Sequence, residues 1–217
     1  MAGKLSVLEG LDGSGKATQA EMLYSRLISA GIKAKKISFP DYDSESSALI
    51  KMYLRGDFGK SPSDVDPCAA SLFYTVDRFA SYKMKWGEFY NNGGIVIADR
   101  YTTSNAVHQC CKLPDTLWDE YLNWLFPLEY NILGLPVPHK VFFLNVEPEV
   151  SRKLIEKRYS GDESKKDIHE SLEYLSKSYE SAKYCCEKLN WIEIKCSENE
   201  EMRDIKSIND DILTQII

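Results

Sequence analysis

The sequence predicts an α/β fold, a mainly parallel five-stranded sheet flanked on both faces by helices. Three observations lead there. Short apolar runs alternate with longer amphipathic segments along the 217 residues, and such alternation requires crossover connections between parallel strands. Two of the runs, Ile95 to Ala98 and Val141 to Val146, are apolar at nearly every position, as strands covered on both faces are. A glycine-rich turn, Gly10 to Lys16, joins the first apolar run to the first amphipathic segment.

Taken in order, Leu5 to Leu8 reads as a strand and Thr18 to Ala30 as a helix ending at Gly31. Ala34 to Phe39 is a second strand, stopped by Pro40. Ser47 to Leu54 and Pro67 to Tyr90 read as helices. The turn Asn91-Asn92-Gly93-Gly94 then leads into the strand Ile95 to Ala98. Helical stretches follow near Ser104 to Cys111 and Pro114 to Tyr130, then the strand Val141 to Val146. Helices near Pro148 to Lys157 and His169 to Leu189, a strand at Trp191 to Lys195 and a last helix complete the chain. No repeat or linker divides it, so one domain over residues 1–217 is expected. The polar patch Tyr159 to Asp167 is read as a surface loop, within a small mobile lid over about 158–168.

Hydrophobic residues make up 43% of the chain, enough for a sizeable core. A net charge of −6 and a pI near 5.2 provide no global basic field for a nucleic-acid backbone, so no such partner is expected. No run of eighteen apolar residues is present, and no membrane span is expected. Met1 to Ser6 lacks a signal-peptide apolar region. Cys110-Cys111 and Cys185-Cys186 are vicinal pairs, poor disulfide frameworks and unlike the spaced pairs of a zinc site. With Cys68 and Cys196 they read as reduced, mostly buried thiols of a cytoplasmic protein.

The strongest chemical signal is Gly10-Leu11-Asp12-Gly13-Ser14-Gly15-Lys16, followed by Ala17 and Thr18. Between a strand and a helix, these residues read as a phosphate loop and place the chain in the three-layer P-loop NTPase class. Successive backbone N–H groups form an anion nest, the helix N-terminus adds positive dipole, and glycines admit phosphate oxygens closely. Lys16 would reach the β- and γ-phosphates of ATP. Ala17 departs from the pattern, because that position wants a Ser or Thr hydroxyl for Mg2+. A carboxylate, Asp99 or Glu9, is then the candidate to hold magnesium through water.

Asp99-Arg100-Tyr101 follows a strand, and ligands gather at the carboxyl ends of parallel strands. Tyr74 and Arg78 are four apart on one helix and share a face, offering stacking and hydrogen bonds to a flat polar base. A salt-bridged helix face is the alternative for Arg78. His108 is given no proton-transfer role, since phosphoryl transfer needs little base catalysis.

These residues, together with Phe39-Pro40-Asp41-Tyr42, Leu54-Arg55-Gly56-Asp57-Phe58-Gly59, Leu72 to Arg78 and Asp99 to Asn105, resemble thymidylate kinase over nearly the whole chain. The resemblance implies phosphorylation of dTMP to dTDP with ATP and Mg2+, in a homodimer. It implies that Lys16 and the loop backbone hold ATP phosphates, and that Asp12 lies between these and the dTMP sugar. Tyr42 and Arg100 approach the dTMP phosphate, with Phe39 and Pro40 in the same motif. Tyr74 stacks on thymine, while Arg78 and Asn105 hydrogen-bond it. Tyr101, Ser104 and Gln109 line the wall, and His108 lies near the sugar 2′ carbon. Gly13 stands where one branch of the family has arginine, so Arg158, Lys165 or Lys166 of the lid is expected to supply that charge. Asp12, Lys16, Arg100 and Arg158 are thus the candidate catalytic residues. A deoxynucleoside kinase, another monophosphate kinase and a nucleotide-binding regulatory protein are the rival readings.

Overall fold

The protein is described by a computed structural model over residues 2–159 and 172–216. Strand β1 (Lys4–Glu9) leads through the glycine turn into helix α1 (Lys16–Ser29). β2 (Ala34–Ser38) follows, then α2 (Ala48–Leu54), α3 (Pro67–Ser81), α4 (Gly87–Asn91) and β3 (Ile95–Asp99). α5 (Thr102–Cys110) and α6 (Trp118–Phe126) precede β4 (Lys140–Asn145) and α7 (Pro148–Tyr159). α8 (Leu172–Lys188), β5 (Ile192–Lys195), a hairpin of β6 (Ser197–Glu198) and β7 (Glu201–Met202), and α9 (Ile205–Ile216) complete the described chain.

The main sheet has the order β2-β3-β1-β4-β5, and every adjacent pair is parallel. The chain leaves β1 towards one edge and later crosses to β4 on its other side. The connection direction therefore reverses at β1, where an open parallel sheet forms its crevice. Alternation along β1 divides the core. Leu8 joins Ile97, Phe142 and Leu144 under Leu23 and Leu27 of α1 and Ile208 and Ile212 of α9. Leu5 and Val7 face the other way, with Val96, Val141, Trp86 and Tyr101. β2 is an edge strand, and Lys35 and Lys36 on it discourage pairing with another sheet.

The sequence reading differs from the structure in three places. The helix expected over Pro67 to Tyr90 is interrupted by a π turn at Tyr82–Trp86. Trp86 is the reason: its indole is buried against Tyr82, Tyr90 and Tyr101, with ring centroids 4.8, 6.0 and 6.2 Å away. The stretch Pro114 to Tyr130 begins with a 3-10 turn and ends in a second π turn, Pro127–Ile132. Pro127 lacks the N–H that would continue the regular ladder. The β6–β7 hairpin was not expected. Asn199 and Glu200 form its two-residue turn with φ of 53° and 61°, without the Asn-Gly signal that usually marks one. Residues 160–168 of the lid expected over about 158–168, with Lys165 and Lys166, lie outside the described residues, as does the Arg158 side chain.

Ile97 is fully buried in the central layer. Ile97→Ala is expected to cost about 2–5 kcal/mol. A urea titration should show a lower midpoint with an unchanged slope, because the same surface is exposed on unfolding.

Candidate active site

The glycine turn wraps the end of β1. Gly10 and Gly13 have φ of 157° and 79°, and a Cβ on either would strike backbone: Leu144 O at 2.9 Å and Ser151 O at 2.7 Å. At Gly13 the first turn of α7 thus closes against the loop, which leaves no room for a larger residue. Gly15 precedes α1, so the helix N-terminus opens directly onto the turn. Lys16 is buried, and its Nζ donates to Gly10 O at 2.9 Å and Leu11 O at 2.6 Å. Burial first, and the Arg100 cation second, depress its pKa to about 8, against support from Asp12, Asp99 and Glu9.

Glu9 closes β1 with a fully buried carboxylate. It accepts Gly10 N–H at 3.1 Å, Thr103 Oγ1 at 2.7 Å and Ser104 Oγ at 2.8 Å, and it pairs with Arg100 Nη1 at 3.4 Å. Glu9 is therefore engaged as an anchor and is a poor magnesium ligand. Asp99 differs: its Oδ1, at the end of β3, is buried and among the described residues has no hydrogen-bond partner. Its position and chemistry suit a water-mediated Mg2+ contact.

Arg100 has φ of 66°, in the left-handed region that a side-chain-bearing residue seldom adopts, and its N–H donates to Leu8 O at 3.1 Å. Its guanidinium spans Glu9, the Asp12 carboxylate of the loop, Ser104 Oγ at 3.2 Å and His108 Nε2 at 3.1 Å. Burial works against its charge, but Asp12 and then Glu9 outweigh that and raise its pKa.

A crevice opens beside this arginine. Every residue expected to bind the acceptor lines it. Phe39, Pro40 and Tyr42 form one side, Tyr74 and Arg78 of α3 another. Arg100, Tyr101, Ser104, Asn105, His108 and Gln109 form a third, and Asp12 joins the crevice to the phosphate loop. Leu54 also lines it and was not foreseen. Tyr74 meets Tyr53 edge-on, with ring centroids 6.4 Å apart. The His108 ring lies parallel to that of Tyr174, 6.0 Å away. Asp41 points its carboxylate at Lys85 Nζ, 2.5 Å away, and its N–H at Asp77 Oδ2, 2.8 Å away.

A model of the family described as "Thymidylate kinase" matches residues 8–205. The chain belongs to the thymidylate kinase family. The thymidylate kinase of Schizosaccharomyces pombe is 29% identical over 82% of this chain and 79% of its own length. A probable thymidylate kinase of Methanosarcina barkeri is 34% identical over 81% of this chain and 78% of its own. The solved thymidylate kinase structure from Candida albicans superposes with a TM-score of 0.72 at 21% identity, covering 99% of this chain and 91% of that one, a likeness of fold.

Besides Leu54, sequence reasoning missed Glu129 in this family member. It is fully buried and holds Arg78 through Nε at 2.8 Å and through Nη2. Burial opposes the Arg78 charge, but Glu129 restores it and raises the arginine's pKa. Arg78 is thus both an ion-paired residue and a wall of the crevice. Glu129 stands 51 residues from Arg78, in a π turn, and no local pattern announces it.

Lys16, expected to hold phosphate, would have to be the cation to do so. kcat/KM for ATP should therefore decline as pH rises through about 8, the value for the free enzyme. In the ATP complex the phosphate charges favour protonation, so the decline in kcat should lie at higher pH. Initial rates across a pH series check this. A kcat/KM that stays flat to about pH 9.5 contradicts the assignment.

Proposed function

We propose that this chain transfers the γ-phosphoryl group of ATP to dTMP, giving ADP and dTDP. The observation that carries the reading is the position of Arg100. One guanidinium touches Asp12 of the phosphate loop and also lines the crevice beside it. A cation shared in this way can serve two phosphates that approach each other.

The barrier to that approach is largely electrostatic and positional. The loop N–H groups and Lys16 hold the donor phosphates. Arg100, with Tyr42 nearby in the crevice, receives the acceptor phosphate. Tyr74 stacks on the base, and Arg78 and Asn105 hydrogen-bond it. An acceptor phosphate oxygen attacks the γ-phosphorus, the bond from that phosphorus to the β,γ-bridging oxygen breaks, and ADP leaves. The attacking oxygen of a dianionic monophosphate carries no proton, so no general base is required. Mg2+ bound with ATP would neutralise phosphate oxygens, with Asp99 its protein contact through water. Positive charge from Arg158, Lys165 or Lys166 completes the proposed site.

The proposal includes a homodimer, the state the resemblance implies. Leu72 and Val76, four residues apart on α3, are 43% and 54% exposed and offer an apolar stripe for it. A cytoplasmic location suits the six cysteines, all free thiols.

Lys16→Ala tests the reading at its base. Loss of a charged donor aimed at transferring oxygens is worth about 3–4 kcal/mol, or roughly a hundred- to a thousandfold in kcat. ADP release should depend on dTMP in the wild type and fall by that factor in the variant. Wild-type turnover by a folded Lys16→Ala protein sinks the assignment. Arg78→Ala should weaken dTMP use by about 1–3 kcal/mol and leave the KM for ATP unchanged. Steady-state kinetics with each substrate varied in turn check it.

A further inference from the structure

Glu129 collects more donors than one ion pair needs. Besides Arg78, it accepts Thr75 Oγ1 at 2.8 Å, Thr102 Oγ1 at 2.6 Å and Asn105 Nδ2 at 3.3 Å. The donors come from α3 and α5, the two helices that carry the crevice's base-facing side chains. An ionised carboxylate is acceptor-only, so each group that meets it must present hydrogen.

Two consequences follow for the crevice. Arg78 spends Nε and Nη2 on Glu129, which leaves the Nη1 edge, itself 3.5 Å from Tyr101 O. Asn105 places Nδ2 between Glu129 Oε1 and Ser71 O, both 3.3 Å away. Both partners are acceptor-only, so the two amide hydrogens are committed there. The orientation of the Asn105 amide is thereby dictated by its partners, and Oδ1 is the atom left to a ligand. The crevice presents a donor at Arg78 and an acceptor at Asn105, in that fixed order.

We infer that Glu129 is a positioning residue that sets the hydrogen-bond polarity with which this protein reads the acceptor's base. The inference rests on the proposed reading of the crevice as the base pocket. The imide edge of thymine, a ring N–H beside a carbonyl, complements an acceptor beside a donor. Cytosine shows the reverse, an unprotonated ring nitrogen beside an amino group, and it mismatches both. A site that leaves buried polar groups unpaired rejects the wrong ligand by as much as about ten-thousandfold. Without the Glu129 charge, the Asn105 amide can turn over and expose Nδ2, which suits cytosine. Arg78 also loses the anchor that fixes its plane.

The test compares full-length wild type, Glu129→Gln and Glu129→Asp. The readouts are kcat and KM for dTMP, KM for ATP, and the competitive Ki of dCMP against dTMP. Glu129→Gln keeps the shape and removes the charge. Glu129→Asp keeps the counter-charge on buried Arg78 but withdraws it from one of its partners, so it carries the test should Glu129→Gln not fold. Glu129→Gln should raise the KM for dTMP by roughly tenfold or more, leave kcat within about threefold and leave the KM for ATP unchanged. The ratio of dCMP Ki to dTMP KM should shrink by about tenfold or more, with Glu129→Asp in between. An unchanged ratio in a folded variant overturns the inference. So does a uniform loss, with kcat and both KM values affected and the ratio preserved, which is the signature of structural support alone. A wild type inactive on dTMP sinks the base-pocket reading and the inference together. An active wild type with unchanged variants sinks only the role of Glu129.

Discussion

Everything around the phosphate loop depends on one buried carboxylate, that of Glu9 at the end of the central strand. A charge in that position persists only when it is paired and hydrogen-bonded. Its partners are the first N–H of the loop, two hydroxyls in the first turn of α5, and Arg100. The constraint therefore fixes three things at once: where the loop starts, where α5 sits, and where the arginine points. The left-handed backbone at Arg100 belongs to the same constraint. A residue that leaves β3 in the ordinary extended direction would follow the strand, whereas φ of 66° sends this guanidinium across to Glu9 and Asp12. Local strain of this kind is retained where surrounding contacts over-determine it, commonly at functional sites.

Glu129 solves the matching problem at the other end of the crevice. Glu9 draws together the groups proposed to face phosphates, and Glu129 draws together the groups proposed to face the base. α5 answers to both, through Thr103 and Ser104 on one side and Thr102 and Asn105 on the other. A single nine-residue helix is thus held between two buried charges, so the separation between the phosphate-binding and base-binding ends is set by the helix itself. This arrangement accounts for the number of buried hydroxyls and amides in that helix, which composition alone would have made an unattractive core element.

The parts of this site that were legible in the sequence are those encoded locally. Gly10 to Lys16 announces itself because backbone conformation, helix start and lysine lie within seven consecutive residues. The central strands were legible because burial on both faces leaves an unbroken apolar run. The crevice residues Phe39, Pro40, Tyr42, Tyr74, Arg78, Arg100, Tyr101, Ser104 and Asn105 are legible through their ordered resemblance to a family, and geometry brings them to line one space. What escaped was encoded by distant partners. Glu129 lies in a stretch that reads as the end of a helix, and its meaning appears only when Arg78, 51 residues earlier, packs against it. The π turn at Tyr82–Trp86 escaped for a similar reason: the helical periodicity is intact, and the fit of Trp86 among aromatic neighbours decides the local geometry. Glu9 reads in the sequence as a carboxylate near the loop, but its engagement by four groups does not follow from spacing.

The central claim is that two phosphates meet directly in one crevice. Following the fate of the γ-phosphate itself tests it. ATP labelled with phosphorus-32 at the γ-position, incubated with the wild-type protein, Mg2+ and dTMP, should place the label in dTDP, with little inorganic phosphate formed whether dTMP is present or omitted. Label released mainly as inorganic phosphate, at the same rate with and without dTMP, would contradict the account.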